Sequence, residues 1–331
     1  MRACFLVVCS ALVVFAQSMP RPPFIGSVGN SFPVPLSVAP GQLITLFVQG
    51  ADTQLTTTVR ATDTPLPITL GGVSVTFHQS SDRPAHIVEV RPVPTCAGVP
   101  APAGAACGTI LAVTAQMPFD MLTICPVCGR PDIPASLAVT VNGTASPSLG
   151  VRPLNDQVHI LTACDAMVPS SEAGVPTANL PCPPLITHAD GRVVSQVFPA
   201  HSGEELVAYA TGLGQTDPPL TAGQPALQAS PARAVFAIDF NYRTNALATR
   251  PLGPSFFGTT VKFPKPEFAG ATQGYAGLYQ INVIVPPPPA GLAACDEIAA
   301  TTPYGNLILS NLTISVGSAY SFDGGGICIA P

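Results

Sequence analysis

The chain has 331 residues, with 13 basic against 18 acidic side chains, a formal net charge of −5, and only 9% charged residues. Ordinary soluble domains carry about 25%, so solubility here rests on Ser, Thr, Gln and Asn. Nucleic acid and anionic membrane are excluded as expected partners, because both call for a basic surplus. Glycine and proline are abundant, 29 and 39 residues, but the 47% apolar content supplies a core and argues against a disordered chain.

The first segment, "MRACFLVVCSALVVFA" (1–16), has a positive start at Arg2 and an apolar run from Ala3 to Phe15. The run is too short to cross a bilayer. It ends on Ala16 before Gln17, the pattern of a secretory signal cleaved after Ala16. A lipid anchor at Cys9 would need a small residue before it, and Val8 is not small. No later stretch is long and apolar enough to be a transmembrane segment. The expectation is a protein secreted or held at the cell surface.

Short β-rich runs follow, separated by prolines and glycines. "APGQLITLFVQG" (39–50) is an apolar strand opened by Gly41 and closed by Gly50. "PITLGGVSVTF" (67–77) predicts a hairpin, with Gly71-Gly72 at the turn and Val73, Val75 and Phe77 on one face. "HIVEV" (86–90) and "TILAV" (109–113) flank an insertion bracketed by Cys96 and Cys107. "FDMLTICPV" (119–127) is expected to be a strand, and "LAVTVNGTAS" (137–146) a second hairpin turning at Asn142-Gly143.

After "RPLND" (152–156), Cys164 and Cys182 bracket another insertion, and "THADGRVV" (187–194) turns at Asp190-Gly191. "LVAYATGLGQTDPPL" (206–220) ends an apolar run on Gly212 and Gly214. A phosphate-cradling loop would lead into a helix N-terminus. Pro218-Pro219 forbids that, so these glycines are read as a backbone turn. "AVFAIDFNY" (234–242) and "LYQINVIVP" (278–286) alternate as strands, the latter with Tyr279, Ile281, Val283 and Val285 on one face.

The pieces recur in order. Residues 39–55 match 201–220, 119–127 match 278–286, and 137–146 match 312–321. The spacing suits two domains of similar build rather than solenoid units. Each copy offers about seven strands, the number in an immunoglobulin-like sandwich. The fold class expected is all-β, two immunoglobulin-like β-sandwiches in tandem: a leader at 1–16, a first domain at 20–152 and a second at 155–331.

"LVAYATGLGQTDPPLTAGQPA", "GYAGLYQINVIVP" and "LTISVG" together resemble the Solibacter-type uncharacterised C-terminal domain, a module of secreted bacterial proteins. The resemblance covers residues 155 to about 318 and is carried by the "ATGLG-T-PP" and "G-GLYQ-NV-VP" motifs. It implies an immunoglobulin-like, IPT/TIG-like sandwich and no particular activity. The cysteine-bracketed insertions and the tail after Val316 depart from the pattern.

Outside the leader, which holds Cys4 and Cys9, the cysteines are Cys96, Cys107, Cys125, Cys128, Cys164, Cys182, Cys295 and Cys328. An even set in an exported chain reads as disulfides. Locality pairs Cys96 with Cys107, Cys164 with Cys182, Cys295 with Cys328, and leaves Cys125 with Cys128. "CPVC" (125–128) resembles a redox motif, but "GRPDIPAS" after it holds no helix to activate a thiol. Zinc would need a second such pair or nearby histidines.

The five histidines, His78, His86, His159, His188 and His201, show no metal-ligand spacing and are expected to be solvated or locally bonded. No cofactor or metal is expected. There is no GxSxG elbow and no carboxylate pair suited to glycoside hydrolysis. Asn142-Gly-Thr144 and Asn311-Leu-Thr313 fit the glycan-acceptor pattern. The function expected is non-catalytic: an extracellular or cell-surface scaffold or binding protein whose partner is an extracellular protein or glycan. The braced loops 96–107 and 164–182 are candidate contact surfaces. The alternative is a hydrolase of unfamiliar type with a site near His188, Asp190 and His201.

Overall fold

The structure, a computed structural model, describes residues 24–28, 36–51, 54–94, 109–124, 133–162, 165, 183–240, 264–291, 311–317 and 321–330. The leader, most of both cysteine-bracketed insertions, and Cys96, Cys107, Cys125, Cys128, Cys164, Cys182 and Cys295 lie outside the described residues. Among the described residues there is no helix, and the fold is all-β in several sheets. Frequent prolines, which lack an N–H and lock φ, leave room for short strands only.

The N-terminal half contributes β1 (Phe24–Val28), β2 (Leu36–Val38), β3 (Leu43–Gln49), β4 (Val59–Arg60), β5 (Thr69–Leu70), β6 (Val73–Gln79), β7 (Ser81–Pro84), β8 (His86–Pro94), β9 (Thr109–Gln116), β10 (Ala135–Val141), β11 (Thr144–Ala145) and β12 (Leu149–Pro153). One sheet runs β1-β3-β9-β8-β4 and the other β2-β12-β10-β6-β5. All pairs are antiparallel except β2 with β12, which is parallel. The sheets share one hydrophobic core, including Leu46, Val113 and Ile87 from the first and Val75, Phe77 and Val139 from the second. Each such side chain contributes about 1.5–3 kcal/mol by leaving water.

The C-terminal half contributes β13 (His159–Ile160), β14 (Ile186–His188), β15 (Glu205–Thr211), β16 (Ser230–Pro231), β17 (Phe236–Phe240), β18 (Phe268–Ala271), β19 (Tyr279–Ile284), β20 (Leu312–Val316) and β21 (Ser321–Gly325). Its sheets run β13-β15-β19-β18-β16, with β14 also on β15, and β17-β20-β21. They enclose a second core, separate from the first. Among the described residues, no sheet holds strands of both halves.

The two halves repeat one topology. The orders β3-β9-β8-β4 and β12-β10-β6 reappear as β15-β19-β18-β16 and β21-β20-β17. The matches of 39–55 to 201–220 and of 137–146 to 312–321 agree with this order. The match of 119–127 to 278–286 does not. The strand equivalent to β19 is β9, "TILAVTAQ", which pairs with β3 as β19 pairs with β15. Residues 119–124 form no strand. Met121 and Ile124 are buried from a loop, tied to the end of β12 by Ile124 N–H donating to Pro153 O at 2.9 Å. An apolar pattern can be buried without joining a ladder.

Both predicted hairpins form. Gly71 and Gly72 take φ of +56° and +76°, and Asn142 and Gly143 take +47° and +84°. Gly212 and Gly214 also have positive φ, +78° and +80°. No helix follows them, as the turn reading required. Their lack of a side chain has a second cause. A Cβ at Gly212 would lie 1.9 Å from Gln157 O, and one at Gly214 would lie 2.2 Å from Asn155 O. The segment joining the halves lies directly against these two glycines.

Further contacts connect the halves. Gly223 N–H donates to Gln116 Oε1 at 2.7 Å, Gly223 O accepts from Leu66 N–H at 2.7 Å, and Gln42 Nε2 donates to Gln157 O at 3.3 Å.

The two strand-ending glycines should separate these effects. Gly50 has φ +71° with nothing within 4 Å of a Cβ, so Gly50→Ala should cost about 1–2 kcal/mol, the left-handed strain alone. Gly212→Ala adds a backbone collision and should cost at least about 3 kcal/mol. Denaturant midpoints of the two variants check this, and equal losses would refute the close-approach argument.

Candidate functional site

The expected trio of His188, Asp190 and His201 sits around a short hairpin. His188 ends β14, Gly191 N–H closes the turn onto His188 O at 2.9 Å, and Asp190 and Gly191 occupy the turn. His188 is buried. Its Nδ1 bonds Glu204 Oε1, and its Nε2 bonds Phe198 O at 3.0 Å. Asp190 turns away to Arg192, accepting from the Arg192 N–H at 3.0 Å and from Nε at 2.7 Å. His201 contributes its backbone N–H, which donates to Glu204 Oε2 at 2.9 Å. The trio therefore does not converge, and Glu204, which sequence reasoning did not single out, is the group that joins the two histidine positions.

The hydrogen bond from Glu204 raises the His188 pKa above its ordinary value, against an opposing effect of burial. Burial opposes the charged form of Glu204, but its bond to His188 outweighs this and lowers its pKa. Both partners of the ring, a carboxylate and a carbonyl oxygen, are acceptors, an arrangement that favours the protonated imidazole. An imidazolium with both N–H groups engaged has no lone pair for general-base work. The pair orders the loop beyond it, where Val193, Val197 and Phe198 are exposed and the Arg192 guanidinium lies 4.6 Å from the Phe198 ring centroid.

His159 makes a second ionic cluster. It stands on β13 between two carboxylates: Nδ1 bonds Asp323 Oδ2 at 3.0 Å and Nε2 bonds Asp165 Oδ1 at 2.9 Å. Asp323, on β21, also accepts from the Ile160 N–H at 2.9 Å. Asp165 accepts from the Thr162 N–H and hydroxyl at 2.5 and 2.8 Å. The cluster ties β13 of one sheet to β21 of the other. Burial alone would lower the imidazole pKa, but the bonds from Asp165 and Asp323 lift it to about 10. Asp165 is lowered: burial works against its charge, and the bond to His159 prevails.

The two clusters are separate sites. His159 pairs with Thr211 and His188 with Leu206 along β15. Five residues of strand place them about 17 Å apart. Neither imidazole is solvated: His159 has the near carboxylate of Asp165, in keeping with the expectation of local bonding, and each ring also has a carboxylate partner more remote in sequence, Asp323 or Glu204. His78 is exposed with Asp82 at 2.7 Å, as expected of the polar side of its strand. His86 Nδ1 bonds Leu66 O at 2.5 Å, and a Cβ on Gly223 would lie 2.4 Å from that nitrogen.

Among the described residues, no group of three or more His, Cys, Asp or Glu side chains is placed to hold a metal ion, and no helix is long and apolar enough to cross a membrane. Of the two glycan-acceptor patterns, Asn142 is exposed at its turn. Asn311 is engaged instead: its Nδ2 donates to Ile327 O at 2.8 Å and its Oδ1 accepts from Ile327 N–H at 2.9 Å.

Cys328 is buried and disulfide-bonded, while its expected partner, Cys295, lies outside the described residues. The β8–β9 ladder ends at Pro94 opposite Thr109, and Thr162 bridges Pro184, so described strands lead into both cysteine-bracketed insertions. A scan against protein-family models finds no match to the chain, and a search of curated proteins finds none either.

Two outcomes are expected. Non-reducing peptide mapping should recover Cys96 linked to Cys107 and Cys164 linked to Cys182; Cys96 or Cys164 recovered as a free thiol would refute the pairing by locality. The His159 cluster should make stability pH-dependent. A raised histidine pKa stabilises fully below its ordinary value of 6.5, and that stability is lost as pH rises towards about 10. The lowered Asp165 stabilises above its ordinary value of 3.8 and is lost below it. Stability should therefore peak between these values and decline on the alkaline side. His159→Gln should cost about 3–5 kcal/mol near pH 6 and flatten the alkaline decline. Chemical denaturation across pH checks both.

Proposed function

We propose that the chain is a secreted or cell-surface protein of two immunoglobulin-like sandwiches in tandem, meeting near residues 152–156, whose role is binding or scaffolding rather than catalysis. One observation carries this reading. An immunoglobulin sandwich has sheets ordered A-B-E-D and C-F-G. In the N-terminal half β1-β3-β9-β8 and β6-β10-β12 follow that order, and in the C-terminal half β13-β15-β19-β18 and β17-β20-β21 follow it again. The same fold is what the resemblance of residues 155–318 to the Solibacter-type module implies.

Sandwiches of this kind work through end loops and exposed sheet faces. The partner is a protein or glycan outside the cell, and the braced insertions at 96–107 and 164–182 remain candidate contact loops. The hydrolase alternative at His188, Asp190 and His201 loses support from the geometry. Asp190 bonds Arg192, and both nitrogens of His188 are engaged.

Expressed with its leader in a bacterial host, the exported polypeptide should begin at Gln17 by N-terminal sequencing. A cytoplasmic product that retains Met1 would defeat the export part of the proposal. The mature chain should bind at least one extracellular polymer or surface protein in a panel without converting it. Turnover of a bound polymer would defeat the non-catalytic part.

A further inference from the structure

The outer face of the β15, β19 and β18 strands is unlike an ordinary solvated sheet. Alternation sends Leu206, Ala208, Ile281 and Val283 into the core. Tyr209, Gln280, Asn282 and Phe268 therefore face outward, all half-buried. In register, Tyr209 stands opposite Gln280, which stands opposite Gly270; Asn282 stands opposite Phe268. Gln280 Nε2 donates to Asn282 Oδ1 at 3.0 Å, and Asn282 Nδ2 donates to Glu205 Oε1 at 2.7 Å. This chain fixes how both amides are oriented. Among the described residues, Gln280 Oε1, the second N–H of each amide and Glu205 Oε2 have no hydrogen-bond partner. A Cβ on Gly270 would meet Ser230 O at 2.3 Å and both Pro231 Cα and Phe268 Cζ at 2.8 Å, so the backbone of β16 and the Phe268 ring together close over Gly270, beside Gln280.

We propose that this face binds a neutral, hydroxyl-rich polysaccharide chain; the proposal deepens the non-catalytic binding reading and rests on it. Three properties select that occupant. Preset amide donors and acceptors match hydroxyl groups, and their fixed orientation lowers the entropy lost on binding. The aromatic side chains give the C–H faces of sugar rings an apolar surface, as in other sites where a few placed polar groups orient a ligand on aromatic walls. Charge settles the class. No lysine or arginine occupies a position on these three strands, and the only ionised group in the ladder is Glu205. An anionic polymer would be repelled, and a neutral one suits the face. Tyr209 and Phe268 are separated by two strand spacings and two residues along the strand, about 12 Å between Cα atoms, so sugar units of one chain can touch both.

The test uses the intact mature protein in affinity electrophoresis with soluble cellulose ether, mixed-linkage β-glucan and amylose, and with polygalacturonate as the anionic probe. Retardation by at least one neutral polymer and none by polygalacturonate is expected. Asn282→Ala and Tyr209→Ala should each weaken it by about tenfold or more, the mark of one well-formed contact. Leu122→Ala, at an exposed residue of the N-terminal half, should leave it unchanged. If an alanine variant loses the native circular dichroism, Asn282→Asp replaces it; this variant keeps the side-chain size, sets a second carboxylate against Glu205, and should also abolish retardation. Retardation by polygalacturonate alone, no retardation by any neutral polymer, or unchanged retardation of folded Asn282 variants would overturn the assignment. Binding of a purified surface protein with no glycan retardation would overturn this inference and leave the binding role standing. Release of reducing ends from a retarding polymer would instead overturn the non-catalytic reading.

Discussion

Two backbones that approach within contact distance admit no side chain between them, and this constraint at Gly212 and Gly214 organises the C-terminal half. The segment 155–157 runs against both glycines, with Gln157 N–H donating to Gly212 O at 2.7 Å. On its other side the same segment meets β21. Ser321 Oγ donates to Asp156 Oδ1 at 2.7 Å, and Val158 N–H donates to Ser321 Oγ at 3.2 Å. Gly317 must also lack a Cβ, which would fall 1.7 Å from Asp156 Oδ2. The fully buried Tyr279 hydroxyl donates to Gly214 O at 2.8 Å, so the "ATGLG" and "GLYQ" motifs meet in one hydrogen bond. The connector between the halves is thus clamped between the two sheets of the second half before it becomes β13.

That clamp continues into the ionic cluster. Asp323 holds the Ile160 N–H and the His159 ring together, fastening β13 to β21 where the connector ends. In a chain with only 9% charged residues, the partly buried charges of this half are spent on such ties. Burying a charge is costly unless it is paired and hydrogen-bonded. His159 between two carboxylates and His188 on Glu204 both meet that condition. Each pairing also fastens backbone, His159 between two strands and His188 at the head of a turn.

Much of the architecture was legible in the sequence, and the reason is period. Tyr279, Ile281, Val283 and Val285 alternate and are all fully buried; Leu137, Val139 and Val141 do the same up to a turn marked by Asn-Gly. Half-buried strands announce themselves this way. β9 does not, because Leu111 to Gln116 are buried on both faces and read as one apolar run, so the less regular 119–127 segment competed for its place in the repeat. The site was less legible because its pairings are remote. His188 meets a carboxylate 16 residues away, and His159 meets one 164 residues away. Asp190, adjacent in sequence, was the natural guess and is drawn off by Arg192 instead. No local signal marks Glu204 or Asp323; only the fold brings them in.

The repeated topology allows a comparison of equivalent faces, and they differ in what covers them. On the first half, the outward row of the β3-β9-β8 sheet is Thr45, Thr114 and Glu89, all buried. Thr45 and Thr114 bond to each other at 3.0 Å, and Glu89 pairs with Arg60 at 2.6 Å. That row is satisfied internally and closed to solvent. On the second half, the equivalent row is Val207, Asn282 and Phe268, all half-buried, with the Asn282 amide bonded to Gln280 and Glu205 along the strand faces. Burial demands that polar groups be satisfied from within, whereas partial exposure lets them keep a free valence. One strand order, used twice, therefore leaves the first of these rows closed to solvent and the second partly open to it.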